Sequence, residues 1–168
     1  MKNKYFPIYR TGLGQDSHRF LSPNSTKPCT IAGHIFDDAP GFQSNSDGDV
    51  VFHALCNAVT SLTGVQIMGE IAENLCFRDG ITDSEVYLRE GLKTLGAQEI
   101  LHVAITLEGK RPQFKDHIKT MQQNIARILG ISTDAIGITA ISGEGLTDFG
   151  CGDGIQCFAI ISTIEQRD

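Results

Sequence analysis

Stretches in which apolar and polar residues alternate predict five strands, because successive strand residues point to opposite faces of a sheet. These stretches are residues 5–18, residues 30–36, Leu101–Leu107, Ile136–Ile141 and Ile155–Ile164. The first of them runs into a turn. Residues 66–83 are polar and irregular, and no element is predicted there.

Three other stretches repeat apolar residues every three or four positions, which is typical of helices. They run from Ser46 to Leu62, from Ser84 to Leu95 and from Gln113 to Leu129, and a glycine closes each within two residues. Ser46 and Asp49 match an N-terminal capping box. We therefore expect the first helix to begin at Ser46.

The predicted element order is β, β, α, α, β, α, β, β. Such a mixture predicts an α+β fold, in which a mixed sheet carries helices packed on one face. No internal repeat, low-complexity tract or linker divides the chain. Residues 1–168 are therefore predicted to form a single domain.

Composition and charge narrow the classes of function. Of the 168 residues, 40% are apolar and 20% charged, as in ordinary globular proteins. The formal net charge of −6 argues against general nucleic-acid binding, which needs a basic face to neutralise phosphates. No apolar run approaches the ~20 residues of a membrane span, and residues 1–7 lack the apolar stretch of a signal peptide. We expect a cytoplasmic protein with no nucleic-acid or membrane partner.

The cysteines are odd in number and include no Cys-x-x-Cys pair. They are Cys29, Cys56, Cys76, Cys151 and Cys157. This pattern does not predict a disulfide framework or a thiolate zinc site. It predicts free thiols in a reducing compartment.

Asp16 and His18 form a candidate metal site. They lie two residues apart in a predicted strand, so their side chains point to the same face and present an oxygen and a nitrogen together. His53, on the first predicted helix, could supply a third ligand. Two histidines and one carboxylate with an open fourth position are typical of catalytic zinc. The alternative is that no metal binds: Asp16 would then be a turn carboxylate, His18 a surface histidine and His53 a core histidine.

A glycine-rich acidic loop, Ser142–Gly154, separates the last two predicted strands. Its five glycines would let backbone N–H groups approach an anion closely. Glu144, near its start, suits a hard cation such as Mg²⁺ or Mn²⁺, which binds through one carboxylate plus substrate phosphates. A tight glycine hairpin with solvated carboxylates fits the same residues.

Together these motifs resemble the family of 2-C-methyl-D-erythritol 2,4-cyclodiphosphate synthases of the non-mevalonate isoprenoid pathway. The matching segments follow the family order over almost the whole chain: Gly14-Gln15-Asp16-Ser17-His18, Ser46-Asp47-Gly48-Asp49-Val50, His53-Ala54-Leu55, Gly69-Glu70-Ile71, Thr82-Asp83-Ser84, Gly143-Glu144-Gly145-Leu146 and Gly152-Asp153-Gly154-Ile155. The second and third segments, taken together, are the most specific.

The resemblance implies a homotrimer with active sites between subunits. It also implies Zn²⁺ held by Asp16, His18 and His53, and a second divalent cation, Mg²⁺ or Mn²⁺, at Glu144. The implied substrate is a CDP-linked small molecule, and the implied catalytic residues are Asn45, Ser142 and Glu144. The residues implied to bind substrate are Asp16, Ser17, His18, Asn45, Ser46, Glu70, Ala72, Asp79, Lys110, Arg111, Lys115, Ser142, Glu144, Asp148 and Cys151.

Four positions depart from the family pattern. Asn45 replaces a histidine, and Asn57 replaces an acid one turn after the helix histidine. Cys151 replaces an arginine, and Asp148 replaces an aromatic residue. Asparagine cannot be cationic and a thiol cannot form a bidentate contact with phosphate. We expect these changes to affect substrate affinity and rate more than metal binding.

Two other functions stay open at this point. One is a different metal-dependent phosphotransferase or phosphohydrolase on the same scaffold, with Asn45 and Cys151 marking an altered substrate. The other is a non-enzymatic trimer that keeps zinc for structure or senses a diphosphate ligand. The presence of Glu144 argues against this second alternative, because a degenerate site has little reason to keep it.

Overall fold

A computed structural model describes residues 6–167, which form six strands and four helices. In chain order these are β1 (Phe6–Arg19), β2 (Cys29–Ile31), β3 (His34–Phe36), α1 (Val50–Thr63), α2 (Ser84–Leu92), β4 (Glu99–Glu108), α3 (Ile118–Leu129), β5 (Ile136–Ile141), α4 (Asp148–Cys151) and β6 (Gly154–Arg167). Two π-type turns occupy Ile67–Ile71 and Asn74–Arg78, and 3₁₀ turns occupy Lys93–Leu95 and Thr133–Ala135. Tyr5, which begins the first predicted strand, lies outside the described residues.

Four strands form one mixed sheet in the order β1-β6-β4-β5. β6 pairs antiparallel with β1 along its whole length, from Phe6 opposite Arg167 to Arg19 opposite Gly154. It also pairs antiparallel with β4, which runs parallel to β5. β2 and β3 form a separate antiparallel pair. The predicted α+β fold with a mixed sheet is confirmed.

Helix α1 packs closely on β1 because the strand has glycine where the helix crosses it. A Cβ atom on Gly14 would lie 2.0 Å from the main-chain oxygen of Ala54, and one on Gly12 would lie 2.3 Å from that of Ala58. A side chain at either position would push the strand and the helix apart. The close approach brings the second half of β1 next to the first turn of α1.

The two faces of the sheet have different surroundings. On the helix-covered face, alternate strand residues are buried, among them Val103, Ile105, Ala159 and Ile161. On the other face, Leu13 is 56% exposed and Phe158 and Ile160 are each 39% exposed. Leu13 lies directly opposite Ile160 in the sheet register. The chain therefore covers one face, as predicted, and leaves an apolar strip on the other.

The prediction that the first helix begins at Ser46 is wrong. The helix begins at Val50, and its N-cap is Asp49, which is fully buried. The Asp49 carboxylate accepts four main-chain N–H groups, those of Ala32, Gly33, Val51 and Phe52. Gly48 has a φ of +79°, outside the helical region. Asp49 is favoured over Ser46 as the N-cap because it satisfies N–H donors of the helix and of the β2–β3 turn together.

Other elements also differ from the prediction. The single strand predicted at residues 30–36 is divided by a turn at Ala32-Gly33, where φ is +52° and +69°. Helix α3 begins at Ile118 rather than Gln113, because the His117 N–H donates to the Phe114 oxygen in a preceding turn. The glycine-rich loop contains the short helix α4, capped by the Thr147 hydroxyl. No helix among residues 6–167 is both long enough and apolar enough to cross a membrane.

Candidate metal centre and active site

Asp16, His18 and His53 bring three ligand atoms to one point. His53 Nδ1 lies 3.0 Å from Asp16 Oδ2 and 3.0 Å from His18 Nε2. The His18 Nε2 atom lies 3.1 Å from the same Asp16 oxygen. Asp16 and His18 project from one face of β1, as strand geometry predicts, and His53 meets them from α1. We call these three residues the triad, and they could hold a divalent metal ion.

The spacing and chemistry of the triad fit a small divalent cation. Ligand atoms bound tetrahedrally at about 2.0–2.1 Å lie roughly 3.3–3.4 Å apart, so the observed triangle needs only slight widening. Burial would raise the pKa of Asp16, but its contacts with the His18 and His53 rings outweigh burial and hold that pKa well below its usual range. The carboxylate is therefore ionised, as a metal ligand must be.

His53 is also held from its other side by hydroxyl groups. Its side chain is almost fully buried, and its Nε2 atom lies 2.8 Å from Ser84 Oγ and 3.3 Å from Ser46 Oγ. Ser84 is the first residue of α2 and is itself fully buried. The sequence left open a core histidine or a ligand. The structure shows a residue that is both buried and aimed at the other two triad members.

Residues 42–47, before α1, form one rim of the site. We call this segment the rim loop, and Lys27 holds it in place. The Lys27 ammonium donates to three main-chain oxygens, those of Phe42 (2.9 Å), Ser44 (2.8 Å) and Ser46 (2.6 Å). An ammonium has three N–H donors, so all of them are used here. Lys27 therefore positions Asn45 and Ser46 and has no donor left for a phosphate. The role of Lys27 could not be predicted from the sequence, because no local pattern links position 27 to the loop.

A cavity of about 320 Å³ opens in front of the triad. It is lined by Asp16, His18, Ser44, Asn45, Ser46, His53, Asn57, Met68, Ala72, Glu73, Cys76, Phe77 and Tyr87. Five residues predicted to bind substrate thus meet at one place: Asp16, His18, Asn45, Ser46 and Ala72. Met68, Cys76 and Phe77 form an apolar wall on the π-type turns, which the sequence could not reveal because residues 66–83 have no regular period. Asn57 donates to the Gln15 main-chain oxygen over 2.9 Å.

A second cavity, of about 340 Å³, lies beside the C-terminal ends of β4 and β5. Its lining residues are Gly109, Lys110, Pro112, Gln113, Phe114, Lys115, Ala140, Ile141 and Ser142. Three residues predicted to bind substrate, Lys110, Lys115 and Ser142, are here. No described residue lines both this cavity and the one at the triad. A single chain therefore keeps these three residues apart from the triad.

Arg111 is not among the residues that line the second cavity. Its guanidinium lies 5.0 Å from the centre of the Phe20 ring and donates to the Gly152 main-chain oxygen over 3.3 Å. These contacts fasten the segment 109–115 to the end of α4. The predicted role of Arg111 in binding substrate stays a prediction, and its contacts favour a structural role.

The glycine-rich loop carries its candidate residues at the surface. Glu144 is exposed, has a φ of +50° and accepts a hydrogen bond from Ser142 Oγ over 3.2 Å. Cys151 is exposed, and its thiol donates to the Gly145 oxygen over 3.5 Å. Asp148 and Ser17 line a small cavity of about 180 Å³, to which His18 of the triad also contributes.

The two remaining residues predicted to bind substrate lie on the irregular segment before α2. Glu70 is exposed in the first π-type turn. Asp79 follows the second π-type turn, and its carboxylate is paired with Arg78 at 2.8 Å. Neither residue lines the cavity at the triad. Their roles stay predictions.

Comparisons with known proteins agree with these features. The model of the YgbB family matches residues 9–164. A Chlamydia felis protein named 2-C-methyl-D-erythritol 2,4-cyclodiphosphate synthase is 56% identical over 94% of this chain and 90% of its own length. A protein of the same name from Chlamydia trachomatis serovar A is 52% identical over 94% of this chain and 89% of its own. A solved structure of such a synthase, in a form with CDP bound, matches with 29% identity and a TM-score of 0.75, covering 92% of this chain and 99% of the other.

Proposed function

Since the chain belongs to the YgbB family, we propose that it is a 2-C-methyl-D-erythritol 2,4-cyclodiphosphate synthase. Its substrate would be 4-CDP-2-C-methyl-D-erythritol 2-phosphate. The observation that carries the proposal is the convergence of Asp16, His18 and His53 beside a cavity large enough for a small phosphorylated molecule. We further propose that the enzyme is cytoplasmic, that its domain spans residues 1–168, and that it needs no nucleic-acid or membrane partner.

The reaction is an intramolecular phosphoryl transfer. An oxygen of the 2-phosphate forms a bond to the β-phosphorus of the CDP group. The bond from that phosphorus to the oxygen shared with the α-phosphate breaks, and CMP leaves with the electron pair. The products are CMP and an eight-membered cyclic diphosphate. No side chain needs to become covalently attached, because the substrate supplies its own nucleophile.

The residues at the triad cavity would position the reacting groups. The loop held by Lys27 presents Asn45, whose amide can donate a hydrogen bond to a phosphate oxygen but cannot carry positive charge. The apolar wall of Met68, Cys76 and Phe77 would exclude water beside the carbon skeleton of the substrate. Holding both phosphates of one molecule in attack geometry supplies much of the rate of such a reaction.

Two cations would supply the positive charge that an acidic protein lacks. Zinc held by the triad would polarise a phosphate oxygen. Glu144 would hold the second cation, Mg²⁺ or Mn²⁺, together with oxygens of the diphosphate. Such cations would let a protein with a net charge of −6 bind an anionic substrate.

We propose that three copies of the chain assemble with the uncovered sheet faces turned inwards. The strip of Leu13, Phe158 and Ile160 supports this arrangement, because exposed apolar patches of large area commonly mark protein–protein contacts. The separation of the two cavities also supports it. In a trimer, the cavity with Lys110 and Lys115 on one chain could face the triad cavity of the next. Sedimentation that showed a stable, fully active monomer would overturn the trimer.

Incubation with the CDP-linked substrate, followed by phosphorus NMR, tests the proposal. We expect equimolar CMP and a cyclic diphosphate, and we expect the reaction to stop when a chelator removes the metals. Other CDP esters should release no CMP. Release of CMP with a linear product would instead indicate a phosphohydrolase, and no turnover of any ester would indicate a binding protein.

A further inference from the structure

Behind His53, a partly buried series of hydrogen bonds leads away from the triad to a carboxylate. His53 Nε2 is 2.8 Å from Ser84 Oγ. Ser84 Oγ in turn donates a hydrogen bond to Asp47 Oδ1. Ser84 and His53 are both buried, and the two residues are 31 positions apart in the sequence. These hydrogen bonds thus link the rim loop, helix α1 and the first residue of α2.

The donor-to-acceptor direction of these hydrogen bonds follows from the Asp47 carboxylate at which they end. An ionised carboxylate only accepts hydrogen bonds, so the hydroxyl proton of Ser84 is directed to Asp47. The Ser84 oxygen is then left to accept a hydrogen bond, and the partner within reach is His53 Nε2. That nitrogen therefore carries a proton. The lone pair available for a metal is on Nδ1, the atom that faces Asp16 and His18.

We propose that Asp47 and Ser84 are positioning residues for metal binding, because they orient His53 and fix the ring nitrogen that faces the ion. The inference rests on the metal site proposed above. It predicts tighter metal binding than the triad alone would give. Partners of ligating histidines commonly contribute about 10–100-fold to metal affinity.

A purely structural role is the competing explanation. Asp47 also ties the start of α2 to the rim loop: Asp47 Oδ2 accepts the Ser84 main-chain N–H over 3.1 Å, and the Asp47 N–H donates to the Thr82 oxygen over 2.8 Å. Ser84→Ala removes the hydroxyl and leaves both of these main-chain contacts in place. It therefore separates orientation of His53 from attachment of α2.

The experiment measures the Zn²⁺ dissociation constant by chelator competition, together with the unfolding midpoint of the metal-free protein. The variants are Ser84→Ala, Asp47→Asn and a control, Thr163→Val. Thr163 is also buried, and its hydroxyl donates to Gln98 Oε1 over 3.0 Å. It pairs with Arg10, six residues along β1 from Asp16, or about 20 Å at strand spacing. The control therefore reports the general cost of deleting a buried hydroxyl.

We expect Ser84→Ala to weaken zinc binding by about tenfold or more, and Asp47→Asn to weaken it in the same direction. Thr163→Val should bind zinc like the wild type. Ser84→Ala and Asp47→Asn that both bind zinc within twofold of the wild type would overturn the inference. The inference would also be overturned if the loss of zinc affinity were no larger than the lower unfolding midpoint explains, as calibrated by Thr163→Val. A wild type that binds no zinc would instead contradict the proposed metal site itself.

Discussion

The triad and the glycine-rich loop, both assigned to one site, are built in opposite ways. His53 is buried, and its partners Asp16 and His18 lie 37 and 35 residues away in the sequence. Glu144 is exposed, and its hydrogen bond comes from Ser142, two residues away. Long-range contacts within one chain preorganise the triad, whereas the Glu144 carboxylate is paired with a residue of its own loop.

This difference separates two requirements of the proposed reaction. Metal binding at the triad should need only the folded chain. The use of Glu144 should also need a ligand, a second cation or a neighbouring chain that gives the loop its partners. Substitutions in the two regions should therefore change different measured quantities.

Removing a triad residue should have the largest effect. His53→Ala or Asp16→Ala leaves two protein ligands of three, and we expect zinc affinity to fall by more than the ~100-fold that loss of a ligand's hydrogen-bond partner can cause. Activity should disappear with it. Metal analysis after dialysis checks this outcome. Full zinc occupancy in both variants would remove the triad as the metal site.

Glu144→Gln should lose activity while keeping zinc. The amide retains the shape of the side chain but lacks the charge that attracts a cation bound to diphosphate. We expect turnover at low Mg²⁺ to fall by roughly 10–100-fold, the range for losing one charged contact. Zinc content, measured on the same sample, should match that of the wild type. Wild-type turnover at low Mg²⁺ would show that the loop plays no part in cation binding.

A pair of glycine substitutions compares the close packing between α1 and β1 with the open glycine-rich loop. A Cβ at Gly14 would lie 2.0 Å from the Ala54 oxygen, so Gly14→Ala should destabilise the fold by about 1–3 kcal/mol and weaken zinc binding as α1 shifts. A Cβ at Gly145 would have no atom within 4 Å, but φ there is +72°. Gly145→Ala should therefore cost only about 1–2 kcal/mol of local strain.

Denaturant unfolding and chelator competition on both glycine variants distinguish the regions. Only Gly14→Ala should change zinc affinity. Equal zinc affinity in the two variants would mean that the position of the triad does not depend on close packing between α1 and β1.

Cys151→Arg should change substrate affinity alone, and in the favourable direction. A guanidinium beside a phosphate forms two charge-assisted hydrogen bonds, whereas a thiol forms almost none. We expect binding to tighten by about 1–3 kcal/mol, with little change in the chemical rate. Calorimetric titration with CDP or substrate checks this. Unchanged affinity would mean that Cys151 faces away from the ligand and that Lys110 or Lys115 supplies the charge near the nucleotide.

Local sequence patterns predicted the elements that carry the triad. The two-residue period of β1 placed Asp16 and His18 on one face, and the helical period after Val50 placed His53 on α1. These patterns depend on residues only a few positions apart, so one sequence suffices to recognise them. Local patterns failed where a distant partner intervened. Ser46 looked like a helix cap, but Asp49 caps both α1 and the β2–β3 turn.

Local patterns were enough to predict the fold class, the residue types of a metal site and their placement on a strand and a helix. Whether these residues meet depends on tertiary packing, because Gly12 and Gly14 let α1 approach β1 closely. Tertiary packing also decided that Lys27 holds the rim loop and that Ser84 stands behind His53. The hydrogen bonds of Lys27 and Ser84 join positions 15 to 31 residues apart. Their energies arise from burial and hydrogen-bond geometry that exist only once the chain has packed.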